Sequence, residues 1–225
     1  GDFVPFVFEH KFNMEVGDGD RKQLMSGTID RVDICENGTD VYVRIIDYKT
    51  GKKDFNIVKT YYGIDIQLMV YMEAAMKLVA KMRPGKNVIP AGVFYYNISD
   101  PIVSATTESA EEIEDKIKGE LRLKGMVNSD KDIAEKMDNT EGTSLNIPVS
   151  RKADGGFDSR RSKVMNTEQF NMLGRFVDVR AIDTADRIVG GDIRRSPYKD
   201  GQFSSCDRCP YGAVCGFSVD LPGCN

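Results

Sequence analysis

Four acidic, basic and amide-bearing stretches carry the residues able to do chemistry. Asp47 and Lys49 end the apolar run IIDYKTG, residues 45–51. Asp30 stands in GTIDRVD, Glu9 lies further upstream, and Gln67 and Tyr71 stand in QLMVY. Carboxylates on neighbouring strands can together hold a hard divalent cation through oxygen ligands. Mg²⁺ takes only a few of them and keeps several waters. Such a cation lowers the pKa of a bound water and offsets charge on a phosphate, which is what phosphodiester hydrolysis needs. A lysine beside it can orient or deprotonate the water, or neutralise the transition state. The plainer reading of Asp47 and Lys49 is a surface ion pair at a strand end, worth at most about 1 kcal/mol. From this stretch alone both readings stand.

The elements that must position these residues follow from periodicity. Residues 3–16 read as a first strand and residues 23–35 as a second. Asn37-Gly38 supplies a hairpin turn, and residues 41–49 return as a third strand. Alternation then puts Asp47 and Lys49 on one face, since residues i and i+2 share a side. Asp30 and Asp47 fall on adjacent antiparallel strands. His10, the sole histidine, points away from the face of Glu9 and is incidental. Residues 61–82 have helical spacing, ended by Arg83-Pro84-Gly85. On that helix Gln67 and Tyr71 are one turn apart, and a glutamine on a buried face needs partners. Arg31, Asp33 and Asp65 are assigned to solvent or to salt bridges.

Downstream, residues 87–97 read as a strand, 102–107 as a short strand, and 109–124 and 129–138 as helices. Residues 151–163, RKADGGFDSRRSK, form a glycine-containing basic loop, either solvated or in contact with a nucleic-acid backbone. Asn166 and Gln169 have capping-box spacing and open a long helix that Gly190-Gly191 ends.

The chain has 225 residues, enough for one large domain with an appendage. A net charge of −4 gives no global reason to expect nucleic acid, although local patches matter more than totals. No apolar run approaches the ~20 residues of a membrane span, and no basic-then-apolar leader is present, so a cytoplasmic setting is expected. The leading Gly-Asp is read as an excision start within a longer protein. Five cysteines, an odd number without a leader, argue against a disulfide framework.

Taken in order, G-x-x-D in GTIDRVD, D-x-K in RIIDYKTG and Q-x-x-x-Y in QLMVY resemble the PD-(D/E)xK nuclease superfamily, in its RecB-type branch. The resemblance implies an α/β, restriction-endonuclease-like core: a mixed β-sheet flanked by helices, here with a cysteine-rich C-terminal tail. It implies Asp30 and Asp47 as ligands of Mg²⁺ or Mn²⁺, Glu9 as the acidic position of the preceding strand, and Lys49 as the catalytic lysine. It makes Gln67 and Tyr71 the supporting pair that contacts DNA or braces the site.

Cys206, Cys209 and Cys215 have the spacing C-x₂-C-x₅-C, whereas structural zinc and iron–sulfur sites usually take four ligands. The spacing is similar to the last three cysteines of the iron–sulfur staple in AddB-type nucleases. GDIRRSPYKDGQFSSC, RLKGMVNSD and SRRSKVMNTEQF resemble the same family. By that resemblance residues 1–200 are the nuclease domain and 201–225 the staple segment. A 4Fe-4S cluster would take its first cysteine from upstream sequence. An AddA-like helicase–nuclease subunit would be the partner, and unwound single-stranded DNA ends in double-strand break repair and recombination the substrate. The chain departs from the family in lacking a Walker A loop, the upstream cysteine and the first core helix. Cys35 sits inside a motif strand and Cys224 beyond the set. Competing readings are a stand-alone iron–sulfur exonuclease, a non-catalytic DNA-binding scaffold, and a zinc-ribbon module.

Overall fold

The structure, a computed structural model, describes residues 1–17, 22–98, 109–201 and 203–218. The chain divides into two compact units, residues 1–181 and 182–225.

The first unit is built on a six-stranded mixed sheet in sequence order. Strands β1 (Val4–Val16), β2 (Gln23–Asn37) and β3 (Asp40–Lys49) form an antiparallel meander. The β2–β3 turn is tight because Gly38 takes φ +60°, a left-handed conformation open to glycine without a Cβ clash. β4 (Asn87–Asn97) runs parallel to β3, so the chain must cross over, and it does so through helices α1 (Ile57–Tyr61) and α2 (Gln67–Met82). β5 (Lys124–Asn128) pairs antiparallel with β4, and β6 (Val164–Met165) parallel with β5. Helix α3 (Ala110–Leu121) precedes β5, α4 (Lys131–Met137) follows it, and α5 (Thr167–Val189) runs across the boundary between the units.

β3 lies inside the sheet and uses both faces. Tyr42 and Ile46 join Phe94, Ile133, Met137 and Ile147 in a core on the α4 side. Val41, Val43 and Ile45 alternate with them, are fully buried, and face the side where α2 packs on β3 and β4. Asp47 and Lys49 continue that second row. The α/β fold with a mixed sheet flanked by helices is thus the one the sequence implies.

Three local outcomes differ from the periodicity. The helix expected over 61–82 is two helices. Gly63, at φ +76°, turns the chain, and the Thr60 hydroxyl donates to the Asp65 carbonyl at 2.8 Å to lock the turn. Asn56 caps α1, accepting from the N–H groups of Val58 and Lys59. Residues 124–128, expected partly as the end of a helix, are a strand. Gly125 allows it, since a Cβ there would lie 1.9 Å from the Val93 carbonyl oxygen. The basic loop is an ordered part of the fold at its start. Arg151 donates to the carbonyls of Thr140, Ala134 and Asp138, closing the C-terminal end of α4. The capping box at Asn166 and Gln169 is present in both directions, at 2.9 and 2.8 Å. The short strand expected over 102–107 lies outside the described residues.

In the second unit, β7 (Lys199–Asp200) and β8 (Phe203–Ser204) form a short hairpin followed by a 3₁₀ turn (Ser205–Arg208) and helix α6 (Gly212–Cys215). Among the described residues, no helix is long and apolar enough to cross a membrane.

Candidate active site

The antiparallel register pairs Arg31 with Ile46, and one step further sets Asp30 level with Asp47 on the α2 side of the sheet. The Asp30 carboxylate accepts the Tyr48 backbone N–H at 2.7 Å. Asp47 is 1% exposed. Its Oδ2 is ion-paired with the Lys49 ammonium yet receives no aligned hydrogen bond. Burial pushes the Asp47 carboxyl above its ordinary range, Lys49 pulls it back, and Asp30 adds to the upward push. A desolvated carboxylate balanced only by one lysine, beside a second carboxylate, is a poor place for bare charge and a good one for a cation.

The parallel β3–β4 pairing brings Tyr95 beside Asp47 and Asn97 beside Lys49. Tyr95 is fully buried, and its hydroxyl donates to Asp65 Oδ1 at 2.7 Å. Burial and the Asp65 carboxylate hold that phenol well above its usual range, so it stays protonated. Lys49 Nζ lies 5.6 Å from the centre of the Tyr95 ring. On α2, the Gln67 side-chain amide donates to the Tyr71 hydroxyl at 2.9 Å, the partner that the spacing demanded. The Tyr71 ring packs edge-on against Phe12 of β1, with centroids 5.8 Å apart.

Glu9 stands apart from this set. It lies on β1 between Phe8, paired with Arg31, and His10, paired with Ile29, and is therefore level with Asp30. Its side chain is exposed and its φ is +46°, a conformation rare for any residue but glycine. The strand changes phase there. Phe8 lies under the Arg31 guanidinium on the α4 side, whereas Phe12, four residues on, meets Tyr71 on the α2 side. A regular strand would put both on one face. Among the described residues, no three of His, Cys, Asp and Glu are gathered closely enough to form a metal-holding group. Two carboxylates plus water is still a donor set that Mg²⁺ accepts.

Arg31, Asp33 and Asp65 are in salt bridges, as their places beside the motifs suggested. Asp33, fully buried on the α4 side, accepts from Arg31 Nε at 2.6 Å and from Arg44 Nε at 2.9 Å. Asp65 pairs with Lys53 at 3.1 Å. Tyr95, Asn97 and Lys53 were not among the expected site residues. Their signals are faint: a tyrosine in a buried strand whose hydroxyl needs a partner, and the lysine pair Lys52-Lys53 just after DYKTG.

In the second unit Cys206 and Cys209 are exposed and Cys215 half-buried, all as free thiols. The Cys209 N–H donates to the Cys206 carbonyl at 3.1 Å, and the Cys215 carbonyl accepts from Arg195 at 2.9 Å. The three thiols are not gathered into a ligand group among the described residues. Cys35 is buried in the sheet core, where burial pushes its thiol up. Cys224 lies outside the described residues.

Comparisons with known proteins give the family of the chain. The chain is 37% identical over 234 residues to the B subunit of the ATP-dependent helicase/deoxyribonuclease of Clostridium botulinum (strain Hall), covering 99% of this chain and 20% of that protein. It is 39% identical over 232 residues to the corresponding protein of Caldanaerobacter subterraneus, covering 98% and 20%. With the one from Thermoanaerobacter sp. (strain X514), identity is 38% over 199 residues, covering 88% and 17%. The chain thus spans about a fifth of the length of these relatives, and it is homologous to their C-terminal region. The sequence model of the PD-(D/E)XK nuclease superfamily matches residues 1–216, and the chain belongs to that superfamily.

Proposed function

We propose that this chain is the metal-dependent deoxyribonuclease domain of a helicase–nuclease subunit, hydrolysing phosphodiester bonds of unwound single strands during DNA break repair. The observation that carries this reading is the buried Asp47 carboxylate, level with Asp30 and ion-paired with Lys49. Asp47 and Asp30 would hold Mg²⁺ or Mn²⁺, and Glu9, level with Asp30 on β1, would be the third acidic ligand. When bound, the cation supplies an activated water and neutralises charge at the phosphate. Lys49, tethered by Asp47, orients the nucleophile and balances the charge that builds on the phosphate oxygens. Gln67 and Tyr71 present an amide and a hydroxyl, already hydrogen-bonded to each other, to the strand. The relatives are B subunits of an ATP-dependent helicase/deoxyribonuclease, which supports DNA as substrate, and the resemblance to AddB makes the partner an AddA-like helicase–nuclease subunit. In the longer protein, Cys206, Cys209 and Cys215 would join an upstream cysteine in a 4Fe-4S cluster outside the chemistry.

The test is cleavage of end-labelled linear single-stranded DNA with Mg²⁺ or Mn²⁺, beside Asp47→Ala and Lys49→Ala. Metal-dependent cleavage that vanishes in both variants, with folding kept, is the expected result. Absence of cleavage here and in the longer protein would overturn the reading.

A further inference from the structure

A second lysine is built into the site. Both ends of the Lys53 residue are held by one side chain: its N–H donates to Asn97 Oδ1 at 3.0 Å, and Asn97 Nδ2 donates to its carbonyl at 3.1 Å. Asn97 is also the β4 partner of Lys49, so one anchor sets the spacing of two lysines. Lys53 Nζ lies 4.6 Å from the centre of the same Tyr95 ring that Lys49 approaches. It pairs with Asp65 Oδ1 at 3.1 Å, on an oxygen that already accepts the Tyr95 hydroxyl. Asp65 is buried, but 37% of the Lys53 side chain is exposed. An ammonium has three N–H donors, and Asp65 occupies one side of it. Lys53 lines a cavity of about 350 Å³ together with Ser26, Gly27, Gln67 and Tyr71.

A lysine used only as a strut would have no reason to be pinned at its backbone, backed by an aromatic face and left open to a cavity that it shares with Gln67 and Tyr71. We propose that Lys53 is a second phosphate-binding lysine of the site, holding the phosphate next to the one that is cut. Asp65 and Tyr95 keep its ammonium extended in the DNA-free protein. This inference rests on the nuclease reading and adds a substrate-contacting residue to it.

The experiment measures single-stranded DNA binding by fluorescence anisotropy over a range of salt. Ca²⁺ replaces Mg²⁺ so that the strand stays uncut, and cleavage of the wild type with Mg²⁺ is recorded in parallel. Loss of one phosphate contact to a single strand makes the log–log salt slope shallower by about 0.7. Lys53→Gln is expected to show that change with about fivefold weaker binding. Lys53→Arg should restore the slope, and Asp65→Asn should leave it intact. Lys53→Met, which keeps the stem against Tyr95, reads the same slope should the glutamine variant not fold. An unchanged slope in Lys53→Gln or Lys53→Met, with a lower melting temperature, would make Lys53 a strut and overturn the proposal, while wild-type cleavage would leave the nuclease reading standing. A wild type that does not bind single-stranded DNA would overturn the proposal, and absence of cleavage in the longer protein as well would overturn the nuclease reading with it.

Discussion

Asp30 accepts the backbone N–H of Tyr48 at 2.7 Å, which ties the acidic residue of the G-x-x-D sequence to the residue separating Asp47 from Lys49. The Asp30 carboxylate is therefore fixed by the main chain, while that of Asp47 is held by the Lys49 side chain. Rotamer preference alone would hold them less firmly. If the pair takes a cation as proposed, the arrangement stands before metal arrives, and the cost of the bare carboxylates falls on the metal-free protein.

That cost is measurable at Asp47. Its folded-state carboxyl titrates above the ordinary range, because burial and Asp30 outweigh the help from Lys49. For an acid raised in the folded state, ionisation destabilises, so metal-free stability rises as pH falls through the raised value. Asp47→Asn should raise the metal-free melting temperature at neutral pH, and the gain should shrink on acidification. The same variant should lose the melting-temperature increase that Mg²⁺ gives the wild type. Thermal melts at several pH values, with and without Mg²⁺, check both halves.

Gly27 begins the G-x-x-D sequence for a packing reason. A Cβ there would lie 2.9 Å from the Phe12 ring and 3.4 Å from the Tyr71 ring. Gly27→Ala should displace Phe12 and, through their edge-on contact, Tyr71. The expected cost is about 1–3 kcal/mol of stability, as for other overpacked cores. Cleavage should fall more than the melting temperature explains, with Mg²⁺ binding intact. Phe12→Leu in the same background should recover part of the loss, and a double-mutant cycle measures that coupling.

Much of this site was legible in the sequence because its geometry is local. The two-residue turn is Gly38-Thr39, one residue later than the Asn37-Gly38 core expected, and with Asn37 paired to Asp40 there, Asp30 and Asp47 end level. The i, i+4 spacing of Gln67 and Tyr71 requires only that α2 be a helix there. The start of α2 was not legible, since Ile64 continues the helical periodicity while Gly63 turns the chain. The reversal of β1 faces at Glu9 depends on one positive φ that no residue type there announces. Tyr95, Asp65 and Lys53 meet across the β3–β4 crossover, and only the parallel register brings them together.

Asp138 should govern part of the acid limb of stability. Burial alone would raise its carboxyl, but hydrogen bonds from Ser144, Thr140 and Asn146 outweigh it and hold the group at about 2. An acid depressed in the folded state contributes stability above its unfolded pKa, and the contribution is lost as pH falls through the folded value. The shift corresponds to about 2 kcal/mol at neutral pH. Urea unfolding of the wild type and Asp138→Asn should differ by roughly that amount at pH 7. The difference should close as the pH approaches 2.

The cysteines should separate into two chemical classes. Cys35 is 3% exposed, and burial pushes its thiol up, so little thiolate forms and a reagent cannot reach it. Cys206 and Cys209 are exposed and Cys215 half-buried, none paired, so all three should react with an aromatic disulfide reagent in the folded protein. Cys35 should react only on unfolding, and Cys35→Ala should leave the fast phase unchanged. Because the three open thiols are not gathered into a ligand group, the chain purified by itself should carry iron well below one cluster per molecule. Iron and sulfide analysis beside the thiol titration decides this. Four irons per chain with the fast thiols protected would show that the cluster assembles here, and the ungathered thiols would then describe only the metal-free state.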